Sequence, residues 1–121
     1  MIEKTILDYL TDYFTVDGVV TVPVVMQMPE TVANPGNSKF ILLEKTGSSW
    51  ENHIFSATVA IQSYAPTLYE AAELNEQVKA AMFNIITLDE ITRIDLNSDY
   101  NFTDTETKQP RYQAVFDLTH Y

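Results

Sequence analysis

The chain has 121 residues, no cysteine and a formal net charge of −10, from 17 acidic and 7 basic side chains. The missing cysteines exclude disulfides and thiolate metal sites, and the scattered basic residues argue against a nucleic-acid grip, which requires clustered lysine and arginine. Hydrophobic residues make up 45% of the chain and aromatic residues 12%, which favours a globular domain with a real core over a disordered chain.

Membrane and export signals are not visible in the sequence. No stretch approaches the ~18 consecutive apolar residues of a membrane span, and the N-terminus lacks a basic segment followed by an apolar run. We therefore expect synthesis in the cytoplasm and no membrane partner.

The first half of the chain predicts one helix and two strands. Apolar residues at helical spacing predict the helix over residues 1–15. A valine-rich strand over residues 19–28 follows, and Asn-Pro-Gly-Asn at residues 34–37 is a strong turn signal. Residues 39–45 form a second strand whose run of apolar side chains requires cover on both faces. Residues 46–52 are predicted to be a polar loop that carries the single tryptophan.

The second half predicts a strand, a helix and two further strands. Residues 54–64 alternate between apolar and polar side chains, with Phe55 on the inner face. A Thr-x-x-Glu capping box opens a helix over residues 67–86. Alternation then predicts strands over residues 91–102 and 111–121, joined by a polar turn.

These elements form one predicted domain over residues 1–121, in the order α-β-β-β-α-β-β. Neighbouring strands joined by short turns pair antiparallel by default. We predict an α+β fold, a mainly antiparallel sheet of about five strands with two helices packed on it.

Residues 95–106 also match the ligand positions of an EF-hand calcium loop. The residues at the ligand positions would be Asp95, Asn97, Asp99, Asn101, Thr103 and Glu106. Tyr100 stands where that loop requires glycine, and strand patterns replace the two flanking helices. A hairpin strand with Asp95, Asn97, Asp99 and Asn101 along one polar face is the better interpretation. A calcium-binding module is the alternative from a different class.

The sequence shows no catalytic motif. His53 and His120 lie outside metal-binding spacings, no serine stands in Gly-x-Ser-x-Gly, and three glycines form no phosphate loop. We therefore expect neither catalysis nor a cofactor, with an enzyme of unrecognised type as a further alternative. Trp50 in a polar loop is typical of an interface anchor, although it could also fold back onto its own core.

Several stretches resemble the small tail-component proteins of long-tailed bacteriophages and prophages of Gram-positive hosts. They are Phe-Ile-Leu-Leu-Glu-Lys-Thr-Gly at 40–47, Glu-Asn-His at 51–53, residues 60–72 and residues 96–121. The resemblance implies a structural virion protein of the tail at the head–tail junction, assembled in the host cytoplasm. It implies a tail terminator, a hexameric ring that ends tail-tube polymerisation and joins the connector. A head–tail connector or neck protein is the alternative.

The resemblance also implies the partners. They are other copies of this chain, the tail-tube protein and the head–tail connector, while DNA passes through without specific binding. An acidic protein suits a channel to which DNA must not adhere. From exposure and turn chemistry we expect interface residues in the polar loops, namely Asn34, Trp50, Glu51, Asn52, Asp104 and Lys108.

Overall fold

The computed structural model describes residues 2–27, 39–51, 54–103 and 110–121. Helix α1 (Ile2–Tyr13) precedes three short strands, β1 (Thr15–Val16), β2 (Val19–Val20) and β3 (Val24–Val25). The remaining elements are strands β4 (Phe40–Glu51) and β5 (Ile54–Tyr64), helix α2 (Leu68–Phe83), a 3₁₀ turn (Asn84–Thr87), and strands β6 (Ile91–Asn101) and β7 (Arg111–His120).

Strands β3 to β7 form one sheet in the order β3-β4-β5-β7-β6. The pairs β4–β5, β5–β7 and β7–β6 are antiparallel, whereas β3 runs parallel to β4. The predicted α+β class, with two helices and a mainly antiparallel sheet of five strands, is confirmed. Strands β1 and β2 form a separate antiparallel ribbon.

The single strand predicted over residues 19–28 is wrong in its described part. The chain instead forms two strands of two residues each, one on either side of Pro23. Proline has no N–H for the ladder, so it interrupts a strand, although its carbonyl accepts a bond from the Ile41 N–H at 2.9 Å. The β1–β2 ribbon turns at Asp17 and Gly18, whose φ angles of 52° and 79° match a tight hairpin turn.

Both helices pack on one face of the sheet. α1 buries Ile2, Ile6 and Leu10, which form one stripe at helical spacing. The Tyr9 hydroxyl donates to the Ala81 carbonyl at 2.7 Å and so ties α1 to α2. Beneath the helices the sheet contributes fully buried side chains, each worth about 1.5–3 kcal/mol when large and apolar. They are Ile41, Leu43, Val59, Ile61, Ala114, Phe116 and Leu118.

Helix α2 begins at the predicted capping box. The Thr67 hydroxyl oxygen accepts a hydrogen bond from the Glu70 N–H at 3.2 Å, which satisfies one of the amide groups left over at a helix start. The apolar stripe of α2 then buries Leu74, Val78 and Met82 against the sheet.

The helix-free face of the sheet carries a chain of hydrogen bonds between side chains. Arg111 Nη1 donates to the Tyr64 hydroxyl at 2.7 Å, and that hydroxyl donates to Gln62 Oε1 at 2.8 Å. Gln62 Nε2 donates to Gln113 Oε1 at 3.0 Å, and Gln113 Nε2 donates to the Tyr100 hydroxyl at 2.6 Å. The two buried glutamines therefore have partners, as buried polar groups require.

The prediction of cover on both faces of residues 39–45 agrees with the burial of β4. Ile41 and Leu43 are buried on the helix-covered face. Phe40 is 3% exposed on the other face, where its ring stacks on Tyr64 with centroids 4.5 Å apart. Because Phe40 is buried within one chain, it does not require a second subunit.

A β-bulge between Leu96 and Ser98 reverses the side of the sheet that the β6 residues face. Before the bulge, Asp95 lies opposite Asp117 on the helix-free face. After it, Asp99 lies opposite Ala114 on the helix-covered face. The predicted single polar face of Asp95, Asn97, Asp99 and Asn101 is therefore wrong, because one extra residue in a strand flips the alternation.

Among the described residues, the calcium-ligand positions from Asp95 to Asn101 do not form a loop around an ion. From Asp95 to Asn101 the chain is part of strand β6. Asp95 is paired with Arg93 at 2.7 Å, whereas Asp99 is paired with Lys79 at 2.6 Å on the opposite face. These two carboxylates thus have separate partners instead of converging on one point, and Glu106 lies outside the described residues.

Candidate functional site

Trp50 and Glu51 lie in strand β4 and not in a loop. The polar loop predicted over residues 46–52 is wrong as far as Glu51, because β4 continues to pair with β5 up to Glu51↔Ile54. Gly47, Ser48 and Ser49 have little strand preference of their own, but the β5 ladder holds them extended beyond a bulge between Lys45 and Gly47.

The sheet end formed by the tip of this hairpin exposes a group of apolar side chains. The exposed fractions are 57% for Trp50, 42% for Phe55 and 70% for Tyr121, and His120 is half-buried. We call these four residues the aromatic end surface. Single exposed apolar residues are ordinary, whereas a contiguous group of them marks a place where another molecule binds.

Three rings of this surface, those of Trp50, Phe55 and His120, are already packed against one another. The register places Trp50 opposite Phe55 and Phe55 opposite His120 on three neighbouring strands. The Trp50 and Phe55 ring centroids are 6.2 Å apart, and Phe55 stacks on His120 at 5.4 Å with an interplanar angle of 16°. Rings held by neighbours lose little conformational freedom on binding, so the surface is preorganised for contact.

A cleft of about 330 Å³ adjoins the aromatic end surface where α1 begins. Its lining includes Glu3 of α1 and Lys45 of β4, whose charged groups pair at 3.4 Å, together with Phe55 and His120. A backbone hydrogen bond, supported by Lys45, holds the pKa of the Glu3 carboxyl below its usual value. The result is an apolar centre with a charged rim, which is the usual composition of protein contact surfaces.

This arrangement is suited to binding. Aromatic faces and a charged rim provide contact area and orientation for a partner. In the part of the chain that the structure describes, no group of three or more His, Asp or Glu side chains could hold a metal ion. Among the same residues, no helix is long and apolar enough to cross a membrane.

Most of the other predicted site residues lie outside the described residues. They are Asn34, Asn52, Asp104, Glu106 and Lys108. The structure therefore brings Trp50 and Glu51 to one end of the sheet and leaves the remaining interface predictions as predictions.

Sequence reasoning missed three members of the aromatic end surface, Phe55, His120 and Tyr121. Phe55 was expected inside because its strand alternates, and it does lie on the helix-covered side. It is nevertheless 42% exposed because it stands at the strand's end. The missing information was the β5–β7 register, which joins strands separated in the sequence by α2 and β6.

No protein-family model matches this chain, and no curated protein sequence is significantly similar to it.

Proposed function

We propose that this protein is a structural component of a phage or prophage tail, a ring-forming tail terminator at the head–tail junction. The proposal begins with the resemblance over residues 40–47, 51–53, 60–72 and 96–121. The observation that supports it best is the aromatic end surface. A protein that works by assembly has to offer its partners a preformed contact surface, and this end of the sheet has one.

A closed ring requires two different and complementary surfaces on each subunit, because its contacts run head to tail. The aromatic end surface supplies one of them. Trp50 and Tyr121 are of the residue types that most often dominate binding energy at protein interfaces. Its partners in the proposed assembly are a neighbouring copy of this chain, the tail-tube protein and the connector.

Side-chain surfaces suit the ring contact better than strand addition at β6. Among the described residues β6 is an edge strand, paired only with β7. Bulges interrupt its register between Ile91 and Arg93 and between Leu96 and Ser98. It also carries the exposed Arg93–Asp95 ion pair. Bulges and charges are the devices that keep edge strands from pairing with other chains.

The net charge of −10 also fits the proposed place in the particle. DNA would pass the ring without binding, because an acidic wall repels phosphate groups. We expect Glu44 and Asp95, both on the helix-free face, to lie nearer the channel than the outer rim. A hexamer structure with basic side chains along the channel and these carboxylates outside would contradict this orientation.

Electron microscopy of particles made without the protein tests the function. A tail terminator predicts overlong tails or tails without heads. Tailless heads would instead support the alternative, a head–tail connector or neck protein. Normal, infectious particles would refute both assignments.

Light scattering on the purified protein, with and without the tail-tube protein, tests the ring. We expect hexamers, either alone at high concentration or once the tube protein is present. Trp50→Ser combined with Phe55→Ser should abolish that assembly. Leu68→Ser is the matched control, because Leu68 is 43% exposed at the start of α2, away from the aromatic end surface. Equal assembly of both variants would count against this surface.

A further inference from the structure

The β6 bulge has a second consequence at helix α2. By turning Asp99 to the helix-covered face, it places the carboxylate within reach of two α2 side chains. Asn75 Nδ2 donates to Asp99 Oδ1 at 2.6 Å, and Lys79 Nζ contacts Asp99 Oδ2 at 2.6 Å. Bulges recur where a fold has to re-aim a particular side chain, often next to a functional site.

Asn75 is left with an unsatisfied oxygen. The side chain is 1% exposed, and Asp99 fixes the orientation of its amide because only the NH₂ group can donate to a carboxylate. The carbonyl oxygen Oδ1 is buried, and no donor reaches it from the described residues. A buried acceptor without a donor is costly, so its presence calls for an explanation.

A cleft of about 400 Å³ lies at this place. Asn75 and Asp99 line it together with Glu73 and Glu76 of α2, and the rings of Tyr69 and Tyr112 form part of its walls. Two of its carboxylates, Glu76 and Asp99, pair with the ammonium group of Lys79, and Glu73 adds a third carboxylate to the lining. The cleft therefore keeps a negative charge beside two tyrosines, and it is lined by the buried Asn75 side chain, whose Oδ1 lacks a donor.

We propose that this cleft, named here the acidic cleft, binds an arginine side chain presented by a partner protein. A guanidinium group has five N–H donors in a planar fork, which suits several oxygen acceptors at once. Its flat face stacks on tyrosine rings, and its charge complements the carboxylates. This binding does not depend on the phage assignment, and it uses residues distinct from the aromatic end surface.

The test uses the blocked peptide acetyl-Gly-Arg-Gly-amide, titrated into the full-length protein and followed by NMR. The neutral analogue with citrulline in place of arginine keeps the shape and removes the charge. We expect saturable shifts of the Asn75 side-chain amide and the Tyr69 and Tyr112 rings with the arginine peptide only. Equal binding of the citrulline peptide, or shifts that do not saturate, would overturn the proposal.

Two exposed positions provide the variants, so that the fold is preserved. Tyr69 is 76% exposed, and Tyr69→Ala removes one aromatic wall of the cleft. This change should weaken binding of the arginine peptide about two- to fivefold. Glu73→Gln removes one carboxylate and should weaken it by a similar factor, about two- to fivefold. Glu44→Gln makes the same charge change on β4 and should leave binding unchanged. If Glu44→Gln weakens binding of the arginine peptide as much as Glu73→Gln does, the peptide is attracted only by the net charge of the protein. That result would refute the site.

Discussion

Aromatic side chains are buried at one end of the central strands and exposed at the other end. At one end of β4, β5 and β7, Phe40 and Tyr64 are 3% and 2% exposed. At the other end of the same strands, Trp50 and Phe55 are 57% and 42% exposed. In both groups the rings pack against each other across neighbouring strands, so ring packing alone does not explain the difference.

The difference lies in what surrounds the rings. At the buried end, the Tyr64 hydroxyl takes part in hydrogen bonds with Arg111 and Gln62. The Arg111 guanidinium also lies 4.3 Å from the centroid of Phe102. At the aromatic end surface, the rings pack on one another while much of their area faces outward. We infer that the buried end specifies the fold and that the exposed end serves binding.

Among the substitutions that test this difference, we expect the largest loss of stability at Phe40. Phe40→Ala should lower the free energy of unfolding by about 3 kcal/mol, because it removes a buried ring and leaves a cavity against Tyr64. Chemical denaturation measures the change. A loss below about 1 kcal/mol, the scale of a surface substitution, would mean that the burial of Phe40 contributes little to the stability of the fold.

Tyr64→Phe should have the next largest effect. It removes the hydroxyl that accepts from Arg111 and donates to Gln62, and so leaves a buried glutamine oxygen without its donor. We expect a loss of about 1–3 kcal/mol in the free energy of unfolding. Thr46→Val, which removes an exposed hydroxyl bonded to the Thr58 carbonyl, is the control and should cost less. Equal losses of stability would show that the series of side-chain hydrogen bonds stabilises the fold no more than an exposed hydrogen bond does.

Asn97→Ala should cost about 1 kcal/mol at neutral pH. Hydrogen bonds from Asn97 at 2.9 Å and Thr58 at 2.7 Å hold the pKa of Asp117 below its ordinary value of 3.8. A lowered carboxyl pKa stabilises the fold above the unfolded-state value, and that stability is lost as the pH falls through the folded-state value. The difference in the free energy of unfolding between the native protein and Asn97→Ala should therefore become smaller below about pH 4. A difference that stays constant down to pH 2 would contradict the role of Asp117.

The smallest effect on stability is expected at the exposed end. Trp50→Ser should change the free energy of unfolding by less than about 1 kcal/mol, since it removes a mostly exposed ring from a strand end. Thermal and chemical denaturation both measure this. A loss as large as that of Phe40→Ala would place Trp50 in the structural core and remove the contrast between the two ends.

Sequence patterns within a single helix or strand correctly predicted the features that depend only on neighbouring residues. The capping box at Thr67, the apolar stripe of α2 and the alternation of β5 and β7 all lie within one element, and the structure contains them. Residues 46–49 were missed because their extended form comes from pairing with β5. The bulge at Leu96–Ser98 was missed because the alternation of residue types continues across it.

The candidate site was predicted only in part for the same reason. Trp50 stood out as a large ring among polar neighbours, so composition alone identified it. Its neighbours Phe55, His120 and Tyr121 reach the same place through strand register, which is a long-range property. The acidic cleft depends on the bulge that re-aims Asp99, and no short-range pattern indicates it.

The most direct test of the aromatic end surface is complementation of particles made without the protein. The native chain, the Trp50→Ser and Phe55→Ser double variant, and the Leu68→Ser control would each be supplied, and tail lengths and head attachment counted by electron microscopy. We predict that the double variant leaves tails overlong or without heads, although its thermal denaturation shows that it is folded. The control variant should restore normal particles. Normal particles with the folded double variant would contradict the assignment of this surface to assembly.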